Sequence, residues 1–293
     1  FPPPTKSALE VIEEDRMKSY EAKWQEGGSI SYLYAYTDLL LNKESNDTAS
    51  EFVRNKIRET VKDPKTAELL CPDNHPIGTK RLILDSQYYE IFNEDHVELV
   101  DVRNAPITEI TESGIQTTDH HYELDAIAFA TGFDAMTGAM REIDIRVNGG
   151  PTLDEQWEAG PRTYLGLMVA GLPNLFMITG PQSPGVKSQM ILSIEWHVDW
   201  IADCLQHMKD NKLNRIEATT EAQENWVKHV KDVADSTLYP LANSWYMGVN
   251  IPGKPKVFMP YVGGVHTYTK ECDRVVANGY EGFVMSSEEI SVT

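Results

Sequence analysis

Two adjacent cations, Lys80 and Arg81, have side chains whose chemistry could bind an anionic group. They follow a Pro/Gly turn at the start of a predicted strand, so a rigid backbone would hold both side chains. Lysine serves a phosphate as a point charge, and a guanidinium keeps its proton at any ordinary pH. The residues alone leave open a plainer interpretation, in which both are solvated surface cations.

Two predicted strands end in glycine-containing turns that could bring backbone to a ligand. Residues 124–129 have the pattern of a buried strand that enters an Ala-Thr-Gly turn at Thr131 and Gly132. Residues 174–179 have the same pattern and continue into the loop Gly180-Pro-Gln-Ser-Pro-Gly185 and then a predicted helix, whose N-terminal amides would attract negative charge. A packed strand-to-helix loop without a ligand is the alternative that the residues leave open.

Trp245 lies in an irregular stretch rich in glycine and proline, where a large aromatic side chain is unusual as ordinary core. Its indole N–H is a donor only, which suits the ribose or nicotinamide side of a bound cofactor. The nearby Tyr246, Asn250 and Lys254 are expected to hold the shape of this loop. Met190, at the start of the predicted helix, would line a pocket or fill the core.

The composition excludes several classes of function. A formal net charge of -19 with only 26 Lys+Arg residues disfavours nucleic acids and anionic membranes as partners. The most apolar stretch, residues 164–180, is interrupted by glycine, proline and asparagine and does not fit a membrane span. The three cysteines and eight histidines show no disulfide or metal-ligand spacing, which favours a reducing, cytoplasmic setting and no metal site.

The first seventy residues are predicted to be helical. Capping signals and apolar residues at helical spacing predict helices at residues 7–25, 32–41, 46–61 and from 63 onward. In this interpretation Ser7, with Glu10 three residues later, and Asn46 cap two of the helices.

After Cys71 the pattern changes to short strands and turns. Strands are predicted at residues 81–84, 97–102, 107–111 and 115–118, with a hairpin turn at 113–114. Farther along, the pattern predicts long helices at residues 187–209 and 220–238 and a closing strand at residues 282–285. The second long helix would begin at a Thr220-x-x-Gln223 capping box.

No G-x-G-x-x-G loop occurs in the chain. Nucleotide-binding α/β folds hold a pyrophosphate with such a loop at a helix N-terminus. The chain therefore has the closing half of a dinucleotide-binding architecture without the opening half. Its strands at 124–129 and 174–179 would need parallel neighbours from a second polypeptide, or from a segment cleaved off, to satisfy their backbone.

Three stretches in order carry a family resemblance: Lys80-Arg81, residues 180–190 and residues 243–255, where Trp-Tyr-x-Gly-x-Asn-x-Pro-Gly-Lys-Pro is the most specific motif. By these motifs the chain resembles the type I Baeyer-Villiger monooxygenases, FAD- and NADPH-dependent enzymes that use O2 to insert oxygen beside a ketone. The resemblance runs from about Ser7 to Phe283. The family's two Gly-rich loops and its F-x-G-x-x-x-H-x-x-x-W-P motif have no counterpart in this chain.

The resemblance implies an α/β fold, the C-terminal portion of a Rossmann-like flavoprotein with two dinucleotide-binding domains and a helical insertion. Residues 1–70 would form a helical subdomain, residues 71–123 the returning part of the NADPH-binding domain, and residues 124–293 the returning part of the FAD-binding domain with a C-terminal loop. The partner would be the N-terminal half, with both G-x-G-x-x-G loops. Two alternatives stay open: another flavin-dependent NADPH monooxygenase or oxidase, such as an N-oxygenating enzyme, and a non-catalytic remnant that only binds a partner.

The resemblance also implies roles for individual residues. Arg81 would lie over the flavin and stabilise an anionic oxygenating species, while Lys80 would reach the 2'-phosphate of NADPH. Trp245 would lie on a loop that closes over NADP. Further cofactor contacts would come from Thr131, Gly132, Gly180, Pro181 and Met190. The substrate would be lined by Gly185, Val186, Lys187 and Met190.

Two residues depart from the pattern that the resemblance predicts. Lys187 replaces an apolar residue, and Gln182 replaces a glycine. Both lie in or beside the predicted substrate-lining segment. The resemblance therefore implies a ketone substrate, converted to an ester or lactone, without identifying the ketone.

Overall fold

The computed structural model describes residues 4–185 and 189–287. The chain divides into two compact units, and each is described by itself. The first unit comprises residues 1–78 and 82–132, and the second comprises residues 79–81 and 133–293. Within the described ranges, no helix has the length and apolar character needed to cross a membrane.

The first unit begins with a helical region held together by aromatic rings. Its helices are α1 (Glu13–Glu26), α2 (Ser29–Leu33), α3 (Lys43–Thr60) and α4 (Pro64–Leu70). Tyr20 of α1 packs edge-on against Tyr36, with ring centroids 5.6 Å apart, and against Phe52 of α3 at 5.7 Å. Burial of these rings stabilises the region, because aromatic side chains remove large apolar areas from water.

The chain enters α1 differently from the sequence-based prediction. The Ser7 capping box is present, but it caps only a 3-10 turn at Ala8–Glu10. The backbone is extended at Val11 and Ile12 before α1 begins, so the prediction of one continuous helix was wrong. The helix predicted at 32–41 was also wrong, because α2 ends at Leu33 and turns follow.

Asn46, the predicted cap of α3, lies inside that helix and is fully buried. The cap is Asn42, whose side chain accepts a hydrogen bond from the Ser45 amide at 3.1 Å. The Asn46 side-chain nitrogen donates to the carbonyls of Leu39 (2.6 Å) and Ile77 (2.9 Å), and its oxygen accepts from the Ile77 amide (2.9 Å). One buried carboxamide therefore fastens two non-helical segments to α3.

The first unit also contains a three-stranded antiparallel sheet. Its strands are β1 (Ile107–Thr111), β2 (Gly114–Thr117) and β3 (His121–Glu123), in the order β1-β2-β3. The predicted hairpin is formed, but its turn is at residues 112–113 rather than 113–114, because Gly114 pairs with Thr111 as the first residue of β2. A side chain at Gly114 would overlap the Tyr122 carbonyl on β3, so glycine is required there.

Four other predicted strands are not formed. Residues 81–84, 97–102, 124–129 and 174–179 belong to no β-strand. Apolar side chains in the first and third of these segments are exposed, Ile83 at 88% and Phe129 at 70%. A strand needs a neighbour for its N–H and C=O groups, and among the described residues no strand pairs with these segments.

The second unit contains three long helices. Its elements are α5 (Gly138–Arg141), α6 (Leu153–Gln156), α7 (Met190–Asp210), α8 (Thr220–Asp235), α9 (Val265–Ala277), and the antiparallel pair β4 (Arg215–Ala218) and β5 (Phe283–Ser286). The two predicted long helices and the closing strand are confirmed, although residues 187–188 of the first helix lie outside the described residues and the second helix ends at Asp235 rather than at 238. The cap of α8 is Thr219 rather than Thr220, because the Thr219 hydroxyl accepts from the Ala222 amide at 3.1 Å.

The core of the second unit lies among α7, α8 and α9. Trp200 of α7, Trp226 of α8 and Tyr268 of α9 are buried there, and Trp226 stacks on Tyr261 with ring centroids 5.4 Å apart. Trp200 and Trp226 thus pack in the core. These helices form a rigid base for the irregular segments described below.

We expect Asn46→Ala to lower the free energy of unfolding by about 2 to 4 kcal/mol, because it leaves the Ile77 amide and two carbonyls without their side-chain partner. Asn55→Ala is the matched control on the same helix, since Asn55 is exposed and accepts only from Arg58 in the described contacts. This control should stay within about 0.5 kcal/mol of the wild type. Chemical denaturation measures both values, and equal losses would show that Asn46 does not fasten these segments.

Candidate functional site

Residues 160–185 form the centre of the candidate site and are largely buried, although they contain almost no regular secondary structure. Buried amides and carbonyls have to be hydrogen-bonded, and without a helix or sheet the partners must include side chains. Two buried side chains, Gln182 and His197, hold the loop from Gly180 to Gly185 in this way.

Gln182 connects the loop to three other segments. Its side-chain oxygen accepts from the amide and the hydroxyl of Thr163 (2.9 and 2.8 Å), and its side-chain nitrogen donates to the Pro161 carbonyl (3.0 Å). Its backbone amide donates to the Met259 carbonyl at 2.6 Å, and its carbonyl accepts from the Trp226 indole at 3.2 Å. Sequence reasoning identified Gln182 only as a replaced glycine and missed this structural role.

His197 on α7 holds the start of the same loop. Its Nδ1 accepts a hydrogen bond from the Thr179 amide (2.7 Å), and its Nε2 lies 2.9 Å from the Tyr268 hydroxyl. Burial lowers the pKa of the imidazole from 6.5 to about 4, because the charged form loses its hydration. The sequence held no signal for this role, since the two partners are 18 and 71 residues away along the chain.

The loop that carries Trp245, residues 243–255, is bonded to residues 133–134 of the same unit. Asn250 Nδ2 donates to the Phe133 carbonyl at 2.9 Å, and Lys254 Nζ forms an ion pair with the Asp134 carboxylate. The Lys254 side chain is only 4% exposed, so water screens this pair weakly. Asn250 and Lys254 therefore have the loop-holding role that the sequence predicted.

Lys80 and Arg81 lie in the second unit, Lys80 half-buried and Arg81 exposed. Burial raises the pKa of the Tyr246 phenol, and the positive charge of Arg81 acts against that rise. Tyr246 follows Trp245 directly, and their ring centroids are 4.3 Å apart. The charge of the predicted catalytic arginine therefore acts on a residue of the loop predicted to close over a cofactor.

Four further predicted residues share one loop and the helix that follows it. Gly180, Pro181 and Gly185 are buried, and Met190 begins α7 with 43% of its surface exposed. A Cβ on Gly180 would lie 2.5 Å from the Gly166 carbonyl oxygen, so only glycine allows this approach. A Cβ on Gly185 would lie 3.4 Å from the Met190 sulfur, so these two predicted substrate-lining residues are neighbours.

Four other predicted residues either lie in the first unit or fall outside the described residues. Thr131 and Gly132 are exposed and belong to the first unit. Val186 and Lys187 lie outside the described residues, so their roles stay predictions. Across residues 4–185 and 189–287, no group of three or more His, Cys, Asp or Glu side chains could hold a metal ion.

Comparison with known proteins identifies close relatives, although no family model matches the chain. The chain is 43% identical over 284 residues to cyclopentanone 1,2-monooxygenase of Comamonas sp., covering 96% of this chain and 52% of that protein. It is 38% identical over 288 residues to phenazine N-monooxygenase of Lysobacter antibioticus, covering 98% of this chain and 52% of that protein. The chain thus spans about half the length of the curated relatives it matches.

Solved structures match the fold. Oxidized steroid monooxygenase bound to NADP matches with a TM-score of 0.89 at 47% identity, over 98% of this chain and 54% of that one. OTEMO in complex with FAD and NADP gives a TM-score of 0.91 at 38% identity, over 98% of this chain and 53% of that one. The predicted α/β class is confirmed, and the relatives and structural neighbours that the chain matches are flavin-dependent monooxygenases. Baeyer-Villiger monooxygenases are among these relatives and neighbours, and the chain matches them along its length as a C-terminal part.

We expect Lys254→Met to lower the free energy of unfolding by about 1 to 3 kcal/mol, because it leaves the partly buried Asp134 carboxylate unpaired. Lys256→Met is the matched control, since Lys256 is exposed two residues away. The control should change the value by less than about 0.5 kcal/mol. Adding Asp134→Asn to Lys254→Met should recover part of the loss, and the absence of any recovery would contradict a direct pairing.

His197 should make the protein sensitive to acid. Its folded pKa of about 4 lies below the ordinary 6.5, so the unfolded state binds the proton first as the pH falls. The free energy of unfolding should therefore decrease from pH 6.5 down to about 4, by about 3 kcal/mol from this group. Denaturation at several pH values should show a shallower decrease for His197→Gln than for the wild type, whereas parallel curves would exclude this contribution.

Proposed function

We propose that this chain is the C-terminal half of an FAD- and NADPH-dependent Baeyer-Villiger monooxygenase, which converts a ketone and O2 to an ester or lactone. The observation that carries the proposal is the pairing of Lys254, in the Trp245 motif, with Asp134, which follows the Ala-Thr-Gly turn. The loop that carries Trp245, which was predicted to serve a cofactor, is thereby fastened to the segment that begins at Phe133 in the same unit. The relatives named above support the same reaction class.

The residues present fit an anionic flavin edge at the start of α7. This helix is 21 residues long, and its cap residue, Gln189, makes no side-chain hydrogen bond to its first amides. The first-turn N–H groups and the helix dipole are therefore available to stabilise negative charge. We assign Gly180, Pro181 and Met190, with Thr131 and Gly132, to cofactor binding. When bound, FAD would supply the oxygen-activating chemistry.

Arg81 and Lys80 would have different tasks. The Arg81 guanidinium would stabilise negative charge beside the ketone without giving up a proton, because it does not deprotonate at working pH. Lys80 would bind the 2'-phosphate of NADPH as a point charge. Trp245 would close over the nicotinamide side of bound NADP. The pocket that holds the ketone would be lined by Gly185, Val186, Lys187 and Met190.

The partner we propose is the N-terminal half of the same enzyme, with both G-x-G-x-x-G loops. Predicted strands that form no strand pairing among the described residues support it, as do exposed apolar side chains in them, among them Ile83 and Phe129. In the assembled enzyme, residues 71–123 and 124–293 would complete the NADPH- and FAD-binding domains, and residues 1–70 would form the helical subdomain. The three cysteines are free and buried, which fits a reducing, cytoplasmic setting.

N-oxygenation is a second candidate function, favoured by the similarity to phenazine N-monooxygenase. The two candidates differ in substrate, and therefore in the product formed per NADPH. A ketone and a heteroaromatic amine, offered to the same assembled protein, separate them. Colourless protein after co-expression with the N-terminal half would favour a non-catalytic remnant over both.

We expect the assembled protein to be yellow and to form an ester from a ketone, and Arg81→Ala to reduce ester formation by at least about a hundredfold. Flavin reduction by NADPH should stay within about threefold, because the guanidinium acts after that step. Product analysis and anaerobic flavin bleaching measure the two activities. An Arg81→Ala enzyme that oxygenates ketones at the wild-type rate would remove the residue from the mechanism.

Lys80→Ala serves as the neighbouring comparison and should affect a different step. A charged hydrogen bond to the 2'-phosphate contributes about 1.5 to 3 kcal/mol, so the KM for NADPH should rise about ten- to a hundredfold. The KM for NADH should change little, because NADH has no such phosphate. Equal effects on both cofactors would place Lys80 away from the phosphate.

A further inference from the structure

A chain of three hydrogen bonds crosses the core of the second unit beneath the loop from Gly180 to Gly185. The Thr179 amide lies 2.7 Å from Nδ1 of His197, whose Nε2 lies 2.9 Å from the Tyr268 hydroxyl. That hydroxyl in turn lies 2.6 Å from the Leu165 carbonyl. His197 and Tyr268 are both buried, so water does not compete for these groups.

This series of three hydrogen bonds is called the relay below, and the groups at its two ends fix the direction in which each bond is donated. An amide N–H can only donate and a carbonyl can only accept. Nδ1 of His197 must therefore be the unprotonated acceptor, which leaves the proton on Nε2 to donate to the Tyr268 oxygen. The Tyr268 hydroxyl then donates to Leu165. Every polar atom of the relay is satisfied in this one arrangement.

At both ends of the relay, Thr179 and Leu165, the backbone turns sharply in a conformation that L-residues rarely adopt; these two positions are called the corners below. Thr179 has φ of 52° and Leu165 has φ of 58°, both in the left-handed region. For a β-branched residue such as Thr179 this conformation is a genuine outlier. Such strain persists only where the surrounding structure holds it, and it concentrates at functional sites.

The two corners are also in direct backbone contact through the glycines that follow them. A Cβ on Gly180 would lie 2.5 Å from the Gly166 carbonyl oxygen, and one on Gly166 would lie 2.8 Å from the Ser183 amide. The relay and this backbone contact link the same two corners on two sides, and together they enclose the start of the loop from Gly180 to Gly185. A shift of Thr179 would therefore move Gly180 and the residues after it.

We propose that His197, supported by Tyr268, is a positioning residue that holds the Thr179 corner and thereby sets the place of the loop from Gly180 to Gly185. Neither side chain needs to touch a cofactor for this role. The consequence for ketone oxygenation rests on the proposed function, because only there does the loop face the flavin. The position of the loop itself does not rest on it.

Two substitutions of His197 separate the two bonds of the imidazole. His197→Asn keeps a carbonyl oxygen near the position of Nδ1, within reach of Thr179, and loses the bond to Tyr268. His197→Gln places its amide near the position of Nε2, within reach of Tyr268, and loses the acceptor for Thr179. Tyr268→Phe removes the middle of the relay, and Tyr261→Phe is its control, a neighbouring buried tyrosine outside the relay.

The first measurement is amide hydrogen exchange of the segment 177–185, in the enzyme assembled with its N-terminal half. Exchange at Thr179 should rise at least about tenfold in His197→Gln and less than about threefold in His197→Asn. Tyr268→Phe should raise it about threefold, because the imidazole loses its second fixed point, and Tyr261→Phe should not change it. Equal exchange in the two His197 variants would overturn the proposal, and if His197→Gln does not fold, equal exchange in the two tyrosine variants would overturn it.

The second measurement is ester formed per NADPH consumed, normalised to bound flavin. We expect at least about a threefold loss in His197→Gln and no loss in His197→Asn, which a general loss of stability would not produce. Altered exchange with an unchanged yield would refute the effect of the loop position on oxygenation. If the wild type binds flavin but forms no ester, the proposed function fails, and the exchange results alone decide whether His197 positions the loop.

Discussion

Each amide and carbonyl of residues 160–185 that is removed from water needs a hydrogen-bond partner, and a segment without helix or sheet cannot supply all of these partners from its own backbone. Side chains therefore supply them. Gln182 satisfies Thr163 and Pro161, and His197 satisfies Thr179. Other backbone groups of the segment are bonded to the side chains of Trp157, Gln223 and Tyr268. The second unit depends on this rule, because the loop from Gly180 to Gly185 is buried and its backbone groups cannot bond to water instead.

The same rule explains why so few conformations are open to the loop. Buried side chains with two or three satisfied polar atoms cannot move independently, since each shift would leave an unpaired group in the core. Positive φ angles at Leu165, Thr179 and Gln182 are retained under these conditions. Close approach of Gly166 and Gly180 adds a steric limit. A loop fixed in this way suits a site where a reacting group must be held within fractions of an ångström.

The loop that carries Trp245 is held by a different interaction. It is joined to residues 133–135 by the ion pair of Lys254 with Asp134 and by the bond from Asn250. A pair so little exposed is favourable only when both charges are present, which makes the contact specific for these two residues. Arg81 adds its charge near Tyr246 on the same loop. The stretch that follows Trp245 is anchored and Trp245 itself is half-buried, which is compatible with a loop that closes over a cofactor.

Much of this protein could be predicted from the sequence alone. The two long helices, the hairpin at Gly114 and the helix at Pro64 follow from signals within a few residues of one another, because capping and turn chemistry are local. The resemblance to Baeyer-Villiger monooxygenases also followed from the sequence, because the motifs that carry it are contiguous stretches of residues. In contrast, the roles of Asn46, Gln182 and His197 were decided only by the tertiary structure, since each has a bonding partner at least 18 residues away along the chain. The strand predicted at 124–129 failed for the same reason: an apolar pattern is local, but a strand exists only where another segment satisfies its backbone.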